Sequence, residues 1–229
     1  MSDILEKPIL ALITAALDTA AGGYRYDDVF RYLKTGLTDL SQEDVDLLEN
    51  YALTWNLEGS AWTGSKPWTN HPKGYGRTFT PEDKALVERL EGLRRQVAGP
   101  LETLRKNPDR TGAGQAKALY KLLEDIGVPQ RLAERAQALR ADGQEALAEE
   151  YAQLWDILWG GLEEGGQILG ESPMELEEFA RLFALVLSQY DVGSIPVSLD
   201  QVTCGEMPRL AHKQYRAVFL LGADDGAIP

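Results

Sequence analysis

The sequence predicts a mainly α protein: a multi-helix body followed by a short β-containing tail. Three observations carry this. From Pro8 to Tyr190 apolar residues recur at spacings of three and four, the period of a helix face. Capping residues and Gly or Pro breaks divide that stretch into helix-length segments. At Ile195-Pro196-Val197-Ser198-Leu199 the texture changes to extended chain, and β-type segments follow.

The elements follow in order. Pro8 to Ala20 carries Ile9, Leu12, Ile13, Ala16 and Leu17 on one stripe, and Gly22-Gly23 stops it. Asp27 to Leu37 is a short helix with Val29, Phe30, Leu33 and Leu37 apolar. Ser41 is an N-cap with Asp44 three residues on, and Val45, Leu48, Ala52 and Trp55 form the face behind it. Leu57 to Thr80 holds Gly59, Gly64, Pro67, Pro72, Gly74 and Gly76 and reads as a long loop. Thr80-Pro81-Glu82-Asp83 starts the next helix, with Pro at the first position and acids in the first turn. Leu86, Leu90, Leu93 and Val97 are its expected buried stripe. Gly99-Pro100 should break or kink it, with Leu101 to Lys106 a brief continuation.

Gln115 to Ile126 turns Ala118, Leu119, Leu122 and Leu123 inward and ends at Gly127. Pro129 to Ala141 and Gln144 to about Leu162 follow, split by Asp142-Gly143. Ser172-Pro173 caps a last helix through Tyr190, burying Leu176, Phe179, Leu182, Phe183, Val186 and Leu187. In the tail, Ala217 to Leu221 ends in Gly222-Ala223-Asp224-Asp225-Gly226, a strand stopping at a Gly/Asp turn. A strand apolar on both faces needs a sheet around it. The residues after Leu221 are too few to build one, so the tail reads as the edge of a larger protein. Leu199–Thr203 and Arg216–Leu221 are expected to be partly extended and to pair with each other or with a neighbouring molecule.

Composition narrows the classes. The 229 residues can bury a real core, and 44% hydrophobic with 26% charged residues is ordinary for a globular protein. No apolar run approaches the roughly 20 residues of a membrane span. The start, Met1-Ser2-Asp3-Ile4, has no basic region before an apolar one, so no secretory signal is expected. The single cysteine, Cys204, excludes an internal disulfide framework and suits a reducing cytoplasm. A net charge of −13 opposes a role as a free-standing DNA binder. That charge is uneven: Gly59 to Arg77 contains Lys66, Lys73 and Arg77 and no acid.

Several enzyme motifs are absent or fail. Thr111-Gly-Ala-Gly-Gln-Ala-Lys117 has the wrong spacing for a phosphate-cradling loop and no hydroxyl after its Lys, so the chain is not expected to hydrolyse ATP alone. Lys34-Thr35-Gly36 matches a penicillin-recognising triplet, but no serine has Lys three residues later. Lys34 instead suits the C-terminal end of its helix. His71, His212 and Cys204 are too scattered for a closed zinc site. Asp224-Asp225 could hold Mg²⁺ with a partner carboxylate, although Asp before Gly is first a turn signal.

The basic island is the most suggestive surface. Trp62, Trp68 and Tyr75 interleave with Lys66, Lys73 and Arg77, a mixture that can stack bases and contact phosphates. The competing reading is a loop whose aromatics fold back over the helical body while its cations stay exposed. Tyr151, Trp155 and Trp159 repeat every four residues on one helical face, which is either core packing or a docking face.

A family resemblance runs along nearly the whole chain. Leu199-Asp-Gln-Val202, Gly205, Arg209, Val218-Phe-Leu-Leu-Gly222, Asp225-Gly226 and Pro229 resemble the motif V region of AddB (RexB in some bacteria), the B subunit of the bacterial AddAB helicase–nuclease. Phe30 to Gly36, Leu48 to Tyr51 with Trp55, Ala118 to Tyr120, Glu150 to Gln153 with Trp155, and Ile195-Pro196 are similar to that family's landmarks in the same order. The family chain is much longer, so the resemblance implies an internal fragment. It implies that 1–23 belongs to a RecA-like 2A domain, 24–194 to the helical 2B-like insertion of a superfamily 1 helicase, and 195–229 to the motif V β segment of 2A, truncated.

The implied parent is an ATP-dependent helicase/exonuclease that resects double-strand breaks for recombinational repair, with DNA and an AddA-like subunit as partners. Its cofactors are ATP, Mg²⁺ and an iron–sulfur cluster. The motifs for the cluster and the nuclease are not in this chain, so neither is carried over and the piece is expected to be inactive alone. Arg209, His212, Lys213 and Arg216 lie between the tail's two β segments, in the stretch that in superfamily 1 helicases helps couple ATP and DNA contacts to movement. Arg209 sits where the AddB pattern places a basic residue, and the competing reading is a solvated basic loop. Leu210-Ala211 departs from the family's Arg-x-Arg, which puts a second contact in doubt. The rival reading is an acidic helical protein-interaction domain with no DNA role.

Overall fold

The structure is a computed structural model that describes residues 2–3, 8–187 and 191–192. The chain divides into two units, residues 1–194 and 195–229, and all the described residues lie in the first. The expected extended segments at Leu199–Thr203 and Arg216–Leu221, the basic residues Arg209, His212, Lys213 and Arg216, Cys204 and the Asp224-Asp225 pair lie outside the described residues.

Among the described residues the unit is helical, with one short ladder. Ser2–Asp3 (β1) pairs antiparallel with Asp191–Val192 (β2), Ser2 opposite Val192. Helix α1 (Pro8–Gly22) buries Ile9, Leu10, Leu12, Ile13, Ala16 and Leu17. A helix apolar nearly all round belongs at the centre, and α1 packs against α2 (Tyr26–Leu33), α5 (Pro81–Arg105) and α9 (Leu176–Leu187). Its apolar residues share one core with the helices that follow, so packing draws no boundary near residue 23.

Two helix starts are built as the sequence predicts. Ser41 caps α3 (Gln42–Trp55), its hydroxyl accepting the Asp44 N–H at 3.2 Å. Thr80 and Asp83 form a reciprocal capping box at the head of α5, which satisfies two amides that the helix itself leaves unpaired. Between α3 and α5 a single helical turn, α4 (Ser60–Thr63), interrupts the loop. Gly59 enters it at φ 58°, ψ −125°, a backbone region closed to side chains, and donates its N–H to Tyr24 O at 3.0 Å. That bond ties α4 to the α1–α2 turn.

Several boundaries differ from the sequence reading: α2 already ends at Leu33 rather than Leu37, and three others involve glycine or proline. Helix α5 runs through Gly99-Pro100 without a break. The carbonyl that Pro100 leaves without a donor is that of Gln96, an exposed position where water can serve it. Helix α6 (Gly112–Asp125) begins three residues early, capped by Thr111, whose hydroxyl accepts the Gly114 N–H at 3.0 Å. Helix α8 (Glu145–Leu169) continues past Leu162 through its paired glycines. A β-carbon on Gly165 would lie 3.6 Å from the Phe183 ring and one on Gly166 3.4 Å from Ala116, ordinary contact distances, so the helix runs on through these glycines packed against α9 and α6.

Helix α7 (Val128–Ala141) pairs with α8, and α8 with α6 and α9. Ser172-Pro173 does not cap α9. It lies beside residues 110–112, with Gly112 N–H on Ser172 O at 3.2 Å and Met174 N–H on Arg110 O at 2.7 Å. The expected helix end at Tyr190 falls outside the described residues.

Candidate nucleic-acid interface

The basic island lies on the loop between α4 and α5, and side chains fold it onto the helices. Trp62 is 0% exposed and its indole N–H donates to Leu57 O at 3.2 Å. Trp68 is buried too, with its indole N–H on Ala61 O at 2.9 Å. The two rings meet edge to face at 5.1 Å, and Trp62 meets Phe30 at 6.1 Å. From α3, the Tyr51 hydroxyl reaches Asn70 O and the Trp55 indole reaches His71 O, each at 3.0 Å. An aromatic with one polar group covers apolar surface and satisfies a loop carbonyl at once. The fold-back reading therefore holds for Trp62 and Trp68, both of which are buried in this structure. Tyr75, 84% exposed and edge-on to Trp55 at 4.3 Å, is the outward ring of the set.

Arg94, a residue that no sequence motif singles out, is the internal anchor. It is 4% exposed, and its guanidinium grips Glu91 through two bonds of 2.8 and 2.7 Å. Its remaining nitrogen donates to the carbonyls of Trp62 and Gly64, the latter at 3.2 Å. The cation also sits 5.8 Å from the Trp68 ring centre. Glu91 in turn accepts the Trp68 N–H at 3.0 Å and Arg95 at 2.7 Å. Burial raises the Glu91 carboxyl, but Arg94, the Trp68 amide and Arg95 outweigh it and hold the group at about 2. The expected stripe of Leu86 and Leu93 is displaced by one position, to Val87, Leu90, Arg94, Val97 and Leu101.

A second anchor closes the loop onto the head of α5. Asp83 is held well below the usual carboxylate range by the Thr80 amide first, then by Lys73 and the Thr80 hydroxyl. Lys73 Nζ lies 3.0 Å from Asp83. His71, buried under Phe79 at 4.7 Å between ring centres, accepts the Lys73 N–H on Nδ1 at 3.1 Å. That bond places the ring proton on Nε2, 3.4 Å from Asp83.

The sign of the acid dependence follows from Glu91. A carboxyl lowered from 4.5 to about 2 stabilises the fold fully above about pH 4.5 and loses that contribution as pH falls toward 2. Urea midpoints measured across that window should fall with acid, and should fall less steeply in a Glu91→Gln variant. Parallel curves for the two proteins would contradict the assignment.

The cations divide into two kinds. Most are matched by carboxylates: Arg31 by Asp18 and Asp28, Lys34 by Glu49, Arg89 by Asp44 and Glu43, Arg105 and Lys106 by Glu102. Lys34 also caps α2, as its position in the sequence suggests. Lys66 is exposed and meets no carboxylate among the described residues, and Arg77 donates only to Lys73 O, at 3.1 Å. On the far side, Tyr120 touches Trp155 at 5.5 Å and Trp159 at 4.6 Å, and Trp159 is 46% exposed, so this stripe is half core and half surface. Among the described residues no group of three or more metal-ligating side chains occurs, and no helix is long and apolar enough to cross a membrane.

Among the described residues, fold and surface together define an acidic helical module whose α4–α5 loop carries two cations, Lys66 and Arg77, that meet no carboxylate. Relatives place that module. No protein-family model matches the chain. It is 32% identical over 99% of its length to the B subunit of an ATP-dependent helicase/deoxyribonuclease from Clostridium botulinum. Identity is 34% over 99% of the chain to the protein of that name from Acetivibrio thermocellus, and 34% over 98% to that of Moorella thermoacetica. The chain is thus homologous along nearly its whole length to the B subunits of ATP-dependent helicase/deoxyribonucleases, and it spans about 20% of the length of the curated relatives it matches.

Proposed function

We propose that this chain is the part of an ATP-dependent helicase–nuclease subunit that positions DNA and packs against neighbouring domains, with no bond-breaking chemistry of its own. In this reading residues 24–194 are the 2B-like insertion of a superfamily 1 helicase, and the residues from 195 supply the motif V segment of a RecA-like 2A domain. The whole protein would act with an AddA-like subunit in resecting double-strand breaks. The match along nearly the whole chain to proteins named for helicase and deoxyribonuclease activity supports the setting. The observation that carries the DNA role is the loop's outward cations, Lys66 and Arg77, where most other cations among the described residues are matched. The half-exposed Tyr120, Trp155 and Trp159 support the packing role.

The test reverses charge where packing is not involved. Lys66 and Arg77 are exposed, whereas Lys73 is left in place because it is bound to Asp83. A Lys66→Glu, Arg77→Glu double variant of the full-length complex is titrated with labelled single-stranded and duplex oligonucleotides at several salt concentrations. Affinity should drop for both forms, and the log–log salt slope should flatten by about two, one per lost phosphate contact. Unchanged affinity and slope at low salt would remove the DNA role.

A further inference from the structure

Beside the basic loop, helix α5 carries an open groove of about 540 Å³. That volume lies within the roughly 300–1,000 Å³ usual for small-molecule sites. Trp68, Phe79 and Val87 make apolar walls, and Gly92 lies among them on the helix. Gly92 is an anomaly. It sits in the interior of α5, where glycine costs about 1 kcal/mol relative to alanine. Yet a β-carbon there would meet nothing within 4 Å. No contact in the described unit requires glycine at this point; its effect is to keep the groove deep. Phe79 is 38% exposed at the groove's edge.

The rim charges favour an anion. Glu91 is already matched by Arg94 and Arg95. Two arginines on one carboxylate leave a positive charge over, and Lys84, which meets no carboxylate among the described residues, shares the rim with Glu88. An apolar slot with cations on its rim suits a nucleobase that carries a phosphate. A paired base would present only its edge, so the fit is to an unstacked, unpaired one. We propose that this groove is a subsite for one unpaired base of a single strand, with Phe79 as the stacking face, Lys84 as the phosphate contact, and Gly92 as the opening. The inference rests on the DNA role proposed above and adds strand selectivity to it.

Two variants test it in the full-length complex. Gly92→Met fills the groove at an exposed helix position, so the fold should hold or tighten; Phe79→Ala removes the stacking face. Each is titrated with a labelled twelve-nucleotide oligo-dT and with a blunt duplex of the same length at low salt. The expected result is a loss of roughly tenfold for the single strand, within the range for one stacking platform, with duplex affinity within twofold of the parent. Single-strand affinity unchanged in both variants, or equal losses on both nucleic acids, would overturn the proposal. The Lys66→Glu, Arg77→Glu protein separates the two ideas. If it loses affinity while Gly92→Met does not, only the groove falls; if it loses none, the DNA role falls with it.

Discussion

Replacing Arg94 with leucine is expected to destabilise the helical unit by about 3–5 kcal/mol, the range for removing one partner of a buried ion pair. Leucine restores apolar volume but leaves the partly buried Glu91 with only Arg95, at the surface, and the Trp68 N–H, and the Trp62 and Gly64 carbonyls without the Arg94 donor. The damage should begin in the loop, because Arg94 joins α5 to α4 while Glu91 holds the Trp68 amide. Limited proteolysis should therefore cut between residues 64 and 80 before the urea midpoint is reached, and oligonucleotide binding should weaken with it. Arg94→Lys should recover little, since one ammonium cannot grip Glu91 with two bonds and reach two carbonyls. A Glu91→Leu, Arg94→Leu double variant should be more stable than Arg94→Leu alone, because no partly buried carboxylate is left without its Arg94 partner. A single-variant shift below about 1 kcal/mol, the size of an ordinary exposed pair, would show that the anchor is solvent-screened and the account wrong.

Arg94 also shows what the sequence could and could not disclose. The helical class, the Ser41 cap and the helix start at Thr80-Pro81 are local signals, written in neighbouring residues, and the structure contains them as read. Periodicity alone places the α5 stripe one position off, because it prefers Leu93 to an arginine. Only the loop carbonyls that arrive from 30 residues away in the chain make burial of Arg94 favourable. The signal is nonetheless present: Leu90, Arg94, Val97 and Leu101 keep helical spacing as well as the all-leucine choice does.

Glycines mislead in the same way. Gly165-Gly166 looks like a stop until Phe183 and Ala116 fill the space beside it, and Gly112 looks like a loop until Leu169 is found 2.4 Å from where its β-carbon would be. The candidate site is legible in the sequence as an island of charge and aromatics but not in its division of labour. Burial, which depends on α3 and α5, assigns Trp62 and Trp68 to the core and leaves Tyr75, Lys66 and Arg77 outside. Phe79, Lys84 and Gly92 carry no motif, and they come together only because the loop folds back along α5.

The same fold-back sets the expected cost of removing Trp62. Helix α4 is a single turn and has no stability of its own, since one turn does not repay helix nucleation. What holds it is the Trp62 ring between Phe30 and Trp68, the indole bond to Leu57 O and the Arg94 bonds to its carbonyls. Trp62→Ala should cost about 3–5 kcal/mol, the range for a large aromatic lost from a packed interior. Trp62→Phe should cost less, because it keeps most of the ring and loses mainly the indole donor to Leu57 O. Phe30 belongs to α2 and shares its core with α1, so the loss should appear as an earlier midpoint of one cooperative urea transition with its slope retained. A biphasic curve, with the loop melting first and the helices later at the parent midpoint, would mean that the loop is an appendage. Trp62 and Arg94 meet through backbone and through Trp68, so their losses should not add. A double variant less destabilised than the sum of the singles would measure that coupling directly.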